Sequence, residues 1–294
     1  MMSVVLATSV LLALPVQDDT VSQAQALLAE GNPDAALAAL EGAGDSPDVC
    51  IARGKAYMAQ ADAVFNATGG GDDVTNLLQD GRAQFEKAVE LAPDEVTPLK
   101  ELGYVRLYRF GESDAVMDMA TQGLEAHPGD GELLLLRGCA GAYVYWNAKQ
   151  SGDETASQNA WDAAVKDLDE STKVLPRERV EPWGQLLWFY EDAAQGEKAV
   201  DAAIAIVDRE DEPNYDNLYR LAVNYSYSRD FAASGKALEK IISLSARELT
   251  NRLKKSERMD EVATNLAWSI DPFVQRQDRA TARAILQAIV SADP

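Results

Sequence analysis

Histidine occurs once in this chain, at His127, and cysteine twice, at Cys50 and Cys139. One scattered histidine does not assemble a Ser-His-Asp triad, a Cys-His dyad or a His-based zinc site. His127 stands before Pro128 at a helix end, where it is expected to interact with the C-terminus of that helix. Basic residues are also scarce: 27 Lys and Arg stand against 48 Asp and Glu, a net charge of −21. Phosphate contact needs a basic face, so no nucleic-acid partner is expected. Acidity of this degree keeps an alanine-rich protein soluble and can attract a basic partner. Stretches that alternate with period 2 are few, which argues against strands. The glycine run Gly69–Gly71 lacks the lysine and hydroxyl residue of a phosphate-binding loop. Asp72-Asp73 reads as a helix start, and Asp130-Gly131-Glu132 lacks a twelve-residue calcium pattern. No catalytic, cofactor or metal residue is therefore nominated, no cofactor is expected, and the chain is read as not an enzyme.

Long apolar runs are nearly absent. Met1–Val16 has no charged side chain and ends at Gln17-Asp18-Asp19. It is short for a membrane span and resembles the core of a secretory signal peptide, although no Lys or Arg precedes it. The expectation is a signal peptide at 1–17 and export, with the bacterial periplasm as destination and no stable membrane span in the mature chain. A cytoplasmic protein, or one anchored by an uncleaved segment, is the alternative.

What the chain does have is a recurring pattern of small and bulky residues. From Val180, the residues Trp183, Leu186, Leu187 and Tyr190 fall at positions 4, 7, 8 and 11, and Ala199 at position 20. From Tyr215, Leu218, Leu221, Ala222 and Tyr225 fill the same slots. Gly81, Phe85, Ala88 and Pro93 show the second half of a unit, as do Ala164, Leu168, Ser171 and Pro176. Apolar residues at this spacing form one stripe on a helix. Small residues let two helices approach, and the proline stops the second one. The pattern resembles the tetratricopeptide repeat (TPR), over roughly residues 18–294. Units fall near 18–46, 47–95, 96–130, 131–179, 180–214, 215–245 and 260–294, with a connecting helix at 246–259. The resemblance implies an all-α fold: a right-handed α-solenoid of about seven helix-turn-helix units.

Unit starts at Pro47, Val96, Gly131, Val180 and Tyr215 are 49, 35, 49 and 35 residues apart, an 84-residue double unit copied once. Arg53-Gly54 thus pairs with Arg137-Gly138. The long members predict two elongated hairpins, with insertions near 62–76 and 148–158. Cys50 and Cys139 lie two repeats apart, about 20 Å or more, too far for a disulfide.

The resemblance implies protein–protein interaction through a concave groove lined by first helices. Its outward positions, about 2, 5, 9, 12 and 13 of each unit, read Tyr104, Leu107 and Tyr108, then Tyr143, Trp188, Tyr219, Tyr227 and Trp268. The nominated partner-binding residues are Tyr104, Tyr108, Tyr143, Trp188, Tyr219, Tyr227 and Trp268, with Lys100, Glu181, Glu191 and Asp216 as a rim. Tyr and Trp combine contact area with a polar tip, which suits binding; the same rings can instead pack against the next repeat. Tyr145, Trp146 and Trp161 are expected inside the second elongated hairpin. Arg252, Lys254, Lys255 and Arg258 form a basic cluster on the connecting helix.

The function read from this is a scaffold or adaptor for a protein or peptide of unknown identity. One alternative is a carbohydrate-active helical protein. Another is an assembly subunit that self-associates through its last helix, Arg279–Ser291, since solenoid ends need a polar cap.

Overall fold

The computed structural model describes residues 17–212, 214–256 and 259–292. The expected signal peptide except Gln17, Arg258 of the basic cluster and the closing Pro294 lie outside the described residues. Those described are helical throughout, with no strand among them, and they divide into two compact units that meet in sequence between His127 and Pro128. The repeat spacing carries no mark of that division.

The first unit holds α1 (Gln17–Ala29), α2 (Pro33–Ala39), α3 (Pro47–Thr68), α4 (Asp72–Leu91), α5 (Val96–Phe110) and α6 (Ser113–Ala126). Ser46 caps α3 by accepting from the Val49 amide at 3.3 Å, and Pro47 follows at the first helical position, where its missing N–H costs nothing. α3 and α4 make the first long hairpin. They close on each other through glycine: Gly54 faces the Phe85 ring and Gly81 faces Met58. Phe85 is 1% exposed.

The second unit holds α7 (Gly131–Ser151), α8 (Glu154–Val174), α9 (Glu181–Asp192), α10 (Gly196–Val207), α11 (Tyr215–Tyr227) and α12 (Phe231–Lys254), then α13 (Met259–Trp268), α14 (Asp271–Gln275) and α15 (Arg279–Ala292). Asp130 caps α7 by accepting from the Glu132 and Leu133 amides at 2.9 and 3.0 Å, so its carboxylate serves the helix start. In the second long hairpin, α7 with α8, Gly138 faces Leu168 and Gly141 faces Ala164. Arg137 donates to both oxygens of Asp167, at 2.6 and 2.7 Å, which locks the two helices side by side. Its repeat counterpart Arg53 turns the other way, to Asp45 and the carbonyls of Leu40 and Ala43. The copied hairpins also differ in their turns: Gly69, Gly70 and Gly71 link α3 to α4, whereas Gly152 and Asp153 link α7 to α8. One residue fewer in the second turn accounts for first helices in register at 84 and second helices, such as Phe85 and Leu168, at 83.

Each turn inside a helical hairpin contains at least one residue of positive φ. In the first four it is glycine: Gly31, the run Gly69, Gly70 and Gly71, Gly111 and Gly152. In the last three it is Ala194, Arg229 and Gln277, at φ of 54°, 61° and 61°.

α12 is two helices joined across a break at Ser245 (φ −167°, ψ 108°), and the second of them, which ends at Lys254, occupies the place of the connecting helix expected at 246–259. One expectation is corrected here. His127 does not serve the end of its own helix with its ring. Its backbone N–H does so, donating to the Gly123 carbonyl, while Nε2 lies 2.6 Å from the carbonyl oxygen of Asp94 in the α4–α5 turn.

Candidate functional site: aromatic faces of the first helices

In the first unit, α3 and α5 pack side by side and leave an open groove of about 490 Å³. Tyr104 and Tyr108 lie one helical turn apart on α5 and stack with ring centroids 6.0 Å apart and planes 13° from parallel. Met58 and Val105 form the apolar floor. Two ion pairs bridge the rims: Lys55 to Glu101 at 2.9 Å and Arg109 to Asp62 at 2.7 Å. Tyr108 is 50% exposed and Tyr104 half-buried, so the stack offers an edge to solvent. The groove therefore pairs an apolar floor with charges of both signs already compensated.

The groove residues that the aromatic search passed over were in register with those it found. Lys55, Met58 and Ala59 occupy positions 9, 12 and 13 of the unit that starts at Pro47, the slots of Tyr104, Leu107 and Tyr108 one unit later. Their spacing was the available signal; being non-aromatic, they were not selected.

In the second unit the aromatic residues gather where α7 and α8 meet α9. Tyr145 is buried, and its ring lies 5.9 Å from Trp188 and 5.4 Å from Phe189. Its hydroxyl donates to Asp192 of α9, and Lys149 closes the triangle with Nζ at 2.6 and 2.7 Å from the Asp192 oxygens. Burial and the adjacent Asp192 push the Tyr145 phenol up. Burial also opposes the Asp192 charge, but the hydrogen bonds from Lys149 and Tyr145 outweigh it and hold the carboxyl below its usual value. The Lys149 ammonium is raised, chiefly by Asp192.

The expectation that Tyr145, Trp146 and Trp161 pack inside the hairpin is corrected for Trp146. Trp146 is 45% exposed and leans on Trp188 at 6.3 Å. Trp161 sets its edge against Phe189 and Tyr190 of α9. Tyr145 continues the Gly138 and Gly141 stripe of α7 and Trp161 the Ala164 and Leu168 stripe of α8 at helical spacing, and both also reach α9.

The remaining nominated residues are spread along the second unit. Tyr143 is 40%, Tyr227 41% and Trp268 57% exposed, whereas Trp188 and Tyr219 are half-buried, and Tyr219 packs on the core cluster around Leu218 and Leu253. Position 13 is open where a tyrosine holds it, at Tyr108, Tyr143 and Tyr227, but half-buried at Ala59 and Asp192, and position 9 ranges from open Trp268 to buried Cys139. Of the nominated rim, Glu191 accepts from Arg220 and Asn224, Asp216 pairs with Arg252 and Glu181 with Arg179. Among the described residues no cluster of three metal-ligating side chains is assembled, and no helix is long and apolar enough to cross a membrane.

No protein-family sequence model matches the chain, and no curated protein sequence matches it. Solved structures do. The chain is similar to PilW, described as a widely conserved type IV pilus biogenesis factor, with a TM-score of 0.55 at 14% identity over 85% of this chain and 99% of that one. It is equally similar to the C-terminal part of a TPR repeat-containing protein from Cytophaga hutchinsonii, with a TM-score of 0.55 at 14% identity over 93% and 95%. At such identity the likeness is one of fold. The fold is all-α, solenoid-like and of the tetratricopeptide-repeat type.

Proposed function

We propose that this chain is a non-enzymatic scaffold that holds an extended peptide or a helix of a protein partner against the open faces of its first helices. The observation that carries this reading is the groove beside α3 and α5. It has an apolar floor, a stacked tyrosine pair at its edge and ion pairs already formed at its rims. Such a surface accepts a chain with little rearrangement, and exposed tyrosine supplies contact area at low entropic cost. In the second unit Tyr143 and Tyr227 hold the same slot as Tyr108 and extend the reading to that unit taken by itself. Neither nucleic acid nor a cofactor has a part in it.

The apolar segment Met1–Val16 supports export as part of this proposal. Intact-mass measurement of the protein recovered from fractionated cells checks it: loss of the segment in an extracytoplasmic fraction is expected, and an intact chain in the cytoplasm refutes it.

The groove is tested by selecting peptides from a displayed library on the full chain and measuring their affinity for Tyr104→Ala/Tyr108→Ala. The double variant is expected to bind about 10–30-fold more weakly, with an unchanged melting temperature. Selected peptides that bind both proteins equally well refute the groove.

A further inference from the structure

The last helix has two faces of opposite character. Ala282, Ile285, Ala288 and Ala292 pack inward, where α15 meets α12, α13 and α14. On the other face Leu286 is 37% and Val290 69% exposed. With Val274 of α14 they line an open groove of about 450 Å³, flanked by Arg279 and Arg283. In several hairpins within a unit the second helix is covered by the helix that follows: α5 on α4, α9 on α8, α11 on α10. No described helix does this for α15.

Charge says what kind of surface fits there. α15 contains no Asp or Glu, and neither Arg279 nor Arg283 forms an ion pair with a described carboxylate. Most of the chain's other arginines, such as Arg82, Arg137 and Arg179, do. The opposite composition occurs at the first hairpin. No Lys or Arg precedes Arg53, and Asp19, Glu30, Asp34 and Glu41 are all exposed. A groove of about 400 Å³ runs beside α2, with Leu37, Ala38 and Glu41 in its wall. Its one cation, Arg53, is already engaged by Asp45 and two carbonyls.

We propose that the outer face of α15 receives the first hairpin of a second copy of this chain. Leu286 and Val290 meet the apolar wall of α2, and Arg279 and Arg283 meet the carboxylates around it. The two surfaces are different, so the contact is head-to-tail and repeats from copy to copy instead of closing on a two-fold axis. This surface is separate from the tyrosine faces of the first helices, and its failure leaves the peptide-groove reading untouched.

Sedimentation velocity of the full chain tests the proposal. The average sedimentation coefficient is expected to rise from micromolar to submillimolar protein and to fall back as salt increases from about 0.05 to 0.5 M. Val290→Glu on α15 and Ala38→Lys/Glu41→Lys on α2 alter exposed positions; circular dichroism confirms that each variant folds. Each alone is expected to weaken association by at least about tenfold. Mixed in equal amounts, the two variants are expected to form a one-to-one dimer and nothing larger, because each retains one working surface. A chain that stays monomeric throughout overturns the proposal in favour of a different partner for α15. Self-association that survives the α2 substitutions, as it would if α15 met its own copy, also overturns it.

Discussion

Gly54 lies under the ring of Phe85, so close that a Cβ on Gly54 would stand 2.7 Å from Phe85 Cζ. This contact sets the distance between α3 and α4. It also explains a small residue in the middle of a 22-residue helix, where glycine otherwise weakens the element.

Gly54→Ala is therefore expected to destabilise the protein, although alanine is the better helix former. The ring is fully buried and cannot swing away, so overpacking by about 1–3 kcal/mol is expected. Urea unfolding followed by circular dichroism measures it. An unchanged midpoint would mean that the hairpin can spread at no cost.

The Tyr145–Lys149–Asp192 triangle makes part of the stability pH-dependent. Asp192 is held below the ordinary carboxyl value of 3.8 in the folded chain. A depressed carboxyl contributes stability above its unfolded pKa, and that contribution is lost as pH falls through the folded one. Asp192→Asn is thus expected to lower the urea midpoint at pH 7 and to have a smaller effect near pH 3. Equal losses at both pH values would show that the carboxylate charge contributes nothing there.

Ala194, Arg229 and Gln277 occupy left-handed turns where the earlier hairpins use glycine. A side chain in that region costs about 1 kcal/mol, and only part of this is offset by the flexibility that glycine brings to the unfolded chain. Ala194→Gly, Arg229→Gly and Gln277→Gly are each expected to stabilise by about 0.5–1 kcal/mol. Differential scanning calorimetry of the triple variant checks the sign; a lower melting temperature would refute the assignment of strain.

Trp188 and Trp268 share a repeat position but not an environment. Trp188 touches Tyr145, Trp146 and Phe189 at 5.0–6.3 Å between centroids, whereas Trp268 is 57% exposed. Trp188→Ala is expected to cost about 2–4 kcal/mol of stability, and Trp268→Ala no more than about 0.5 kcal/mol. Equal effects in thermal unfolding would contradict the difference in packing.

The helical repeat was legible because its slots are set by steric needs internal to each hairpin. Leu186, Leu187, Leu221 and Ala222 had to be apolar or small, and all four are buried. The exposure of the aromatic residues was not legible, because it depends on how far each hairpin overhangs its neighbour. Tyr145 and Trp146 are adjacent in sequence and both lean on Trp188 of α9, yet one is 6% and the other 45% exposed. The division at His127 and Pro128 was hidden for a similar reason. Repeat spacing counts residues along the chain, whereas the division into compact units follows from the contacts made within each.

Cys50 and Cys139 are buried and not joined in a disulfide, and each belongs to a different compact unit. Each one sits where a reagent reaches it only after its own unit has opened, so the chain carries a separate chemical clock in each half. Labelling rates of Cys50→Ser and Cys139→Ser read the two clocks independently. Matching rates across a denaturant series would mean that the halves melt as one cooperative block, and diverging rates that either can come apart while the other stays whole.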